Sequence, residues 1–217
     1  MNFNAELNDI KLINFSVSLD EVLPFVPSSL KVLQENGRAI ISMVDVNLNN
    51  IHLKFLPIIK YGFRYVTFRL LLDDSGFQKN GGNPRGVYFL KSFSNKPILN
   101  LFSNLFANYK LTNATFESSF DAYSLKQNRM YIDYALNPYS SCRYKDDIYQ
   151  KINRIDRAYD INKNRVYVSE LMKNNWQIEP IKCYHFATNF FKSAHFLGAF
   201  KVKDFINHTW NNPRQIR

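Results

Sequence analysis

The sequence has few of the residues that build metal sites, disulfide frameworks and phosphate-binding loops. Only two of its 217 residues are cysteines, and Cys142 and Cys183 lie far apart without a Cys-x-x-Cys motif, which argues against a zinc site or a disulfide framework. The pair Gly81-Gly82 lacks the Gly-Lys-Ser/Thr of a phosphate loop, and no Gly-x-Ser-x-Gly motif of a serine hydrolase occurs. We therefore expect no metal ion and no cofactor.

Long apolar runs are also missing from the sequence. No run approaches the roughly 18 residues that a membrane-spanning helix needs. The segment 1–11 carries Glu6 and Asp9 and lacks the basic-then-apolar order of a signal peptide. We expect a cytoplasmic protein outside the membrane, with its two cysteines as ordinary thiols in a reducing compartment.

Positive charge is abundant, but it is not clustered. The formal net charge is +10 and the isoelectric point is near 9.5, and clustered lysines and arginines would attract nucleic-acid phosphates. Basic residues are instead scattered among acidic ones, as in the Arg-Tyr-Lys-Asp-Asp segment at 143–147. This pattern favours solvated surface charge, and we expect no nucleic-acid partner.

The chain has ample material for a packed core, because 46% of its residues are hydrophobic and 16% are aromatic. Nothing in the composition divides it, so we expect a single domain over 1–217. Alternating apolar and polar residues predict seven strands, at 11–17, 39–46, 62–72, 86–93, 115–123, 130–136 and 165–171.

Helical spacing predicts about three helices between these strands. The first covers 19–25, begins after Ser18 as N-cap and ends near Pro27. The second covers about 97–108 and the third about 146–158, each with one apolar stripe. Many antiparallel strands with a few helices are typical of a β-barrel or sandwich with helical decoration.

Short motifs in a fixed order resemble the domain-of-unknown-function 2071 family. They include Gly-Arg-Ala at 37–39 and Gly-Val-Tyr-Phe at 86–89, within the segments 23–30, 37–44, 65–69, 85–89, 105–110, 175–178 and 194–196. The family is related in fold to acetoacetate decarboxylase. The resemblance therefore implies a mainly β (α+β) protein built as an antiparallel cone-like β-barrel, with a cavity inside and about three packed helices.

The same resemblance raises the question of catalysis. The reactive lysine of the decarboxylases lies in a turn that corresponds to Asn108-Tyr109-Lys110, so Tyr109 occupies the Schiff-base position and Lys110 the neighbouring one. A phenol has no amine to attack a ketone. Lys110 is the remaining candidate catalytic residue, and a surface lysine is the ordinary alternative. Tyr65 stands where many family members have glutamate.

Arg69 and His195 are the other candidate ligand contacts. Arg69 lies in an apolar strand, where a charge cannot be buried without a partner, and its planar guanidinium suits a carboxylate or phosphate. The alternative is pairing with an internal acid such as Glu117 or Asp121, or extension of the side chain to water. His195 lies among aromatic residues and is either a titrating pocket residue or a structural one.

Three functions remain open from the sequence. The favoured one is binding of a small molecule, possibly an anion, in a barrel cavity through Arg69, Tyr65, Tyr109 and His195. The second is a lyase that acts on a keto acid through Lys110. The third is a structural or interaction protein with a filled barrel, and a homo-oligomer is compatible with all three.

Overall fold

The structure is a computed structural model. It describes residues 3–53, 56–78, 83–96, 111–137, 139–140, 142–144, 146–162, 165–171, 176–203, 206–210 and 214–216. This part of the chain is mainly β and has two short α-helices, α1 (Leu19–Val22) and α2 (Asp146–Arg154). Its strands are β1 (Phe3–Ser18), β2 (Gln34–Glu35), β3 (Arg38–Leu53), β4 (Leu56–Leu71), β5 (Gly86–Ser94), β6 (Leu111–Asn113), β7 (Thr115–Ser119), β8 (Ala122–Gln127), β9 (Met130–Asn137), β10 (Arg157–Asn162), β11 (Arg165–Glu170), β12 (Ile178–Pro180), β13 (Lys182–Thr188), β14 (His195–Val202), β15 (Ile206–Trp210) and β16 (Arg214–Gln215).

The strands form two sheets. A twelve-stranded sheet has the order β12-β14-β1-β3-β4-β5-β10-β11-β16, with β15 paired to β1, β2 to β3 and β6 to β5. A four-stranded sheet has the order β13-β9-β8-β7. The expected closed barrel is not found among the described residues, because the large sheet ends at β12 and β16, which are three and two residues long and do not pair with each other.

The strand predictions are confirmed at all seven places, with one correction. The segment 115–123, predicted as one strand, is the hairpin of β7 and β8. Its turn contains Phe120 at a φ of 49°, in the left-handed region. Alternation of apolar residues through a short turn therefore concealed a reversal of the chain.

The helices differ more from expectation. The first is α1 followed by a 3-10 turn at Leu23–Phe25, and Ser18 makes no side-chain capping bond; its N–H donates to Ser193 Oγ at 2.7 Å. The third ends at Arg154, because Arg157 and Ala158 join the large sheet, where β10 pairs in parallel with β5. The helix predicted over 97–108 lies outside the described residues, so the described part has two helices rather than about three.

Successive side chains of β1, β3 and β4 point to opposite faces of the large sheet, and both faces are buried. One face packs against the four-stranded sheet and forms an inter-sheet core, whose members include Ile13, Phe15, Ile41, Met43, Phe68, Leu125 and Ile132. The other face packs against α2 and forms a helix-side core, whose members include Leu12, Ile40, Val44, Leu71, Ile148 and Ile152. Burying each such side chain contributes about 1.5–3 kcal/mol, so both faces of the central strands are fixed by packing.

Candidate functional site

Four buried polar residues and one partly buried tyrosine lie beside the helix-side core and are called here the Arg69 cluster. They are Ser42 on β3, Tyr65, Thr67 and Arg69 on β4, and Ser92 on β5. The register pairs Ser42 with Arg69 and Thr67 with Ser92. Successive side chains of a strand point to opposite faces, so Val66, Phe68 and Leu70 enter the inter-sheet core while the polar residues between them share the other face.

Arg69 is 5% exposed, so its guanidinium does not extend to water. One terminal nitrogen donates to Ser42 Oγ at 2.9 Å, and Nε lies 3.4 Å from the Ser42 carbonyl oxygen. In the described part of the chain no carboxylate forms an ion pair with Arg69. Burial lowers the pKa of Arg69 to about 10, and the group is therefore still a cation at neutral pH.

The hydroxyl groups of the Arg69 cluster form a directed chain. Thr67 Oγ1 donates to the Lys91 carbonyl at 3.1 Å, so Ser92 Oγ donates its proton to Thr67 Oγ1, 2.9 Å away. Tyr65 must then donate to Ser92 Oγ, at 3.1 Å. A hydroxyl has one proton and two lone pairs. Because the Tyr65 hydroxyl donates its proton to Ser92, its oxygen lone pairs remain available for an electrostatic interaction with the positive charge of Arg69. Burial raises the pKa of Tyr65, which keeps the phenol neutral.

A second arginine on the same strand, the partly buried Arg64, has a different environment. Arg64 faces the inter-sheet core, and its Nε donates to Asp45 Oδ1 at 2.8 Å while a terminal nitrogen and the Tyr134 hydroxyl donate to Asp45 Oδ2. Burial lowers the pKa of Arg64, but the Asp45 carboxylate raises it by more. This group is a satisfied structural ion pair, and sequence reasoning did not identify it.

The structure brings together only part of the predicted site. Arg69 and Tyr65 lie in one cluster, whereas His195 is exposed on β14, which β1 and β3 separate from β4. Tyr109 and Lys110 lie outside the described residues. The residues that sequence reasoning missed are Ser42, Thr67 and Ser92. Ser42 and Thr67 each lie between apolar residues of a strand and Ser92 follows Lys91, a pattern that becomes informative only once the sheet register is known.

Neither alternative environment considered for Arg69 is found in the described part of the chain. Its side chain is buried, so it does not extend to solvent. Glu117 is in the four-stranded sheet and pairs with Lys126 at 2.8 Å, and Asp121 is in the β7–β8 turn of that sheet. The four-stranded sheet covers the other face of β4, so neither acid is placed to reach Arg69.

Of three further features, a metal site, a membrane-spanning helix and a surface cavity, only the cavity is present among the described residues. No group of three or more His, Cys, Asp or Glu side chains there is arranged to hold a metal ion, and no helix in that part is long and apolar enough to cross a membrane. A separate surface cavity of about 490 Å³ lies at the start of α2, and its lining consists of Cys142, Arg143, Tyr144, Asp146, Tyr149, Pro180 and Phe200.

The sequence matches the DUF2071 family, described as an uncharacterised conserved protein, over residues 4–207. The chain belongs to this family. The resemblance drawn from the order of short motifs is thereby confirmed. No curated protein matches the chain.

Solved structures of acetoacetate decarboxylase-like proteins share the fold of this DUF2071 member. An acetoacetate decarboxylase-like enzyme from Sphingomonas wittichii RW1 has a TM-score of 0.63 at 7% identity, covering 100% of this chain and 93% of that one. The enduracididine biosynthesis enzyme MppR complexed with pyruvate has a TM-score of 0.61 at 8% identity, covering 100% and 91%. Acetoacetate decarboxylase from Legionella pneumophila has a TM-score of 0.61 at 8% identity, covering 99% and 87%. At these identities the likeness establishes the fold alone.

Proposed function

We propose that this protein is a cytoplasmic binding protein for a small anionic molecule, held on the helix-side face of the large sheet by Arg69. The observation that carries the proposal is Arg69, which is 5% exposed and whose guanidinium forms no ion pair with a described carboxylate. Burying a charge costs several kcal/mol unless an anion compensates it. A ligand carboxylate or phosphate would supply that anion.

The chemistry of a guanidinium fits such a ligand. Arginine has five N–H donors in a planar fork that matches two oxygens of a carboxylate, and Ser42 engages only one side of this fork. Tyr65, Thr67 and Ser92 direct their protons along the chain that ends at the Lys91 carbonyl, so they do not compete as donors. Arg69 is then the main contact for the anionic group, and Tyr65, on the same face of β4, interacts electrostatically with Arg69.

One relative supports an organic acid over phosphate. The enduracididine biosynthesis enzyme MppR, which shares this fold, has a structure complexed with pyruvate, a small carboxylate. This complex supports a carboxylate as the first ligand class to test.

The two free cysteines of this chain support the cytoplasmic part of the proposal, because thiols persist in a reducing compartment.

Isothermal titration calorimetry of the purified protein with acetate, pyruvate, inorganic phosphate and acetamide tests the proposal. Acetamide is the matched neutral control for acetate. We expect at least one anion to bind, acetamide not to bind, and Arg69→Met to weaken anion binding about 100-fold or more, since a charged hydrogen-bonded pair is lost. The exposed Arg165 provides the control variant Arg165→Met, which should bind as the natural protein does. Equal binding of acetate and acetamide, or full affinity in Arg69→Met, would refute the proposal.

The lyase alternative requires an inward-facing amine, and no described observation favours one. Its candidate, Lys110, lies outside the described residues. Borohydride trapping with a β-keto acid separates the two functions, because only a Schiff base gives a permanent mass adduct on a lysine. A protein with a structural role alone would show neither binding nor an adduct.

A further inference from the structure

We infer that the ligand of Arg69 carries a hydrogen-bond donor at its other end and that Asn14 recognises this donor. The ligand class is then the small hydroxy- or aminocarboxylates. This inference rests on the proposed function, because it assumes that an anion occupies Arg69. It adds a second contact, on β1, that fixes what the remainder of the ligand must be.

Asn14 is fully buried, and only one of the two polar atoms of its side-chain amide forms hydrogen bonds. Its Nδ2 donates to the Gly198 carbonyl at 3.1 Å and lies 3.3 Å from the Leu12 carbonyl. Its Oδ1 is buried and has no hydrogen-bond partner in the described part of the chain. Exchanging the amide nitrogen and oxygen would turn the oxygen toward two carbonyl oxygens, so the orientation is determined. An unpaired buried acceptor costs about 1–3 kcal/mol and calls for a donor.

The sheet register aligns this acceptor with the cation. Asn14 pairs with Ser42 across β1 and β3, and Ser42 pairs with Arg69 across β3 and β4. Directly paired residues point to the same face, and adjacent strands lie about 4.8 Å apart, so the outer Cα atoms of this row are roughly 10 Å apart. A molecule of a few carbon atoms is long enough to contact both ends.

Asn14, Ser42 and Arg69 form a row across three strands, and each has a polar group whose hydrogen bonds or charge are not fully satisfied. Ser42 Oγ accepts a hydrogen bond from Arg69, and no described group accepts the proton of Ser42. The row therefore presents an acceptor that lacks a donor, a hydroxyl proton that lacks an acceptor and a cation that lacks an anion. A carboxylate oxygen satisfies Arg69 and Ser42, while a hydroxyl or ammonium group on the same molecule satisfies Asn14.

Packing limits the ligand at the Asn14 end. Gly198 pairs with Asn14, and a Cβ on Gly198 would lie 3.0 Å from Cγ of the Tyr144 ring. The Tyr144 hydroxyl is held by the Ile181 carbonyl at 2.7 Å, so the ring closes the row beyond Asn14. Leu12 and Val44 form the neighbouring row and give the ligand's carbon chain an apolar surface.

Calorimetry with matched pairs of acids tests this inference on the intact protein. Each pair compares an acid that has a terminal hydroxyl with its methyl isostere: glycolate with propionate, 3-hydroxypropionate with butyrate, and 4-hydroxybutyrate with pentanoate. We expect one hydroxy acid to bind about tenfold or more tighter than its isostere, since a donor to Asn14 Oδ1 satisfies a buried group. The preference should disappear in Asn14→Leu, while Arg69→Met should abolish binding of both members of the pair.

The outcomes separate the two proposals. If acids bind through Arg69 but no pair shows a preference, the contact to Asn14 is refuted and the anion site stands; an ordered water bridging Asn14 and Ser42 then satisfies the buried acceptor. If no acid binds, the proposed function fails. A preference that persists in Asn14→Leu assigns the donor to another residue and refutes the inference. If that variant does not fold, the ligand pairs on the natural protein decide.

Discussion

Replacing Arg69 by methionine should stabilise the protein in the absence of ligand, although the side chain is buried. An arginine that maintains the fold would give the opposite result on substitution. The prediction follows from the missing carboxylate, because a buried charge without a counter-ion destabilises the native state. Methionine has a similar length and adapts its shape to irregular core spaces, so it fills the volume without the charge.

The expected magnitude comes from two opposing effects. Burial lowers the pKa of Arg69 to about 10, and at about 1.36 kcal/mol per pH unit the charged state costs on the order of 3 kcal/mol relative to an arginine in water. The hydrogen bond from Arg69 to Ser42 Oγ, at 2.9 Å, offsets about 2 kcal/mol of this cost. The net gain for Arg69→Met is therefore about 1 kcal/mol, or a rise of about 2–4 °C in Tm.

Urea and thermal unfolding of Arg69→Met and Arg64→Met measure the effect against a matched control. Arg64 lies on the same strand and pairs with Asp45, so its loss leaves a buried carboxylate and should destabilise the protein by about 3–5 kcal/mol. Opposite signs at the two positions are expected. A loss of more than about 2 kcal/mol in Arg69→Met would refute the reasoning and make Arg69 a structural residue.

Three further predictions concern the fold, the pH dependence and the reaction. Gly86→Ala should destabilise the protein by about 1–3 kcal/mol in urea, because its Cβ would lie 2.3 Å from Cε2 of Tyr159; wild-type stability would show that the ring moves freely. Burial raises the pKa of Glu21, but hydrogen bonds from residues 192–193 lower it by more, so that the pKa lies below its ordinary 4.5. The ionised Glu21 therefore stabilises the protein above pH 4.5, and this stabilisation is lost as the pH falls below that value. Glu21→Gln should reduce the pH dependence of the unfolding free energy between about pH 5 and 3, whereas Asp20→Asn, at an exposed position, should not. Acetoacetate should release no carbon dioxide above the buffer rate, because a phenol at Tyr109 cannot form an iminium; turnover that borohydride abolishes would contradict this.

The strands could be predicted from the sequence because apolar residues recur at every second position along them. In β4, the apolar residues Val66, Phe68 and Leu70 alternate with polar ones, which is the period of an extended chain. The ends of the elements were harder to predict. Ala158 fits a helical stripe, yet it pairs with Val87 in the sheet, because tertiary packing overrides local periodicity.

The candidate site was predictable only in part. Arg69 could be identified because a charge inside an apolar strand needs a reason. Ser42 and Asn14 could not, because a single small polar residue in a strand is ordinary until the register is known. The pairing of β1 with β3 and of β3 with β4 depends on contacts between distant segments. His195 fits the same aromatic pattern as a pocket residue but is exposed.

The two faces of β4 show two different ways in which a sheet accommodates an arginine that is largely withdrawn from solvent. On the inter-sheet face, Asp45 and Tyr134 complete the hydrogen bonds of Arg64, and the polar groups satisfy one another without a ligand. On the helix-side face, Arg69 and Asn14 are buried but their hydrogen bonds are satisfied only in part. Because unmet buried polar groups cost stability, a fold that gained nothing from them would be expected to carry apolar residues at these positions. The different environments of two arginines five residues apart on one strand are therefore the main structural reason for proposing a ligand site on the helix-side face.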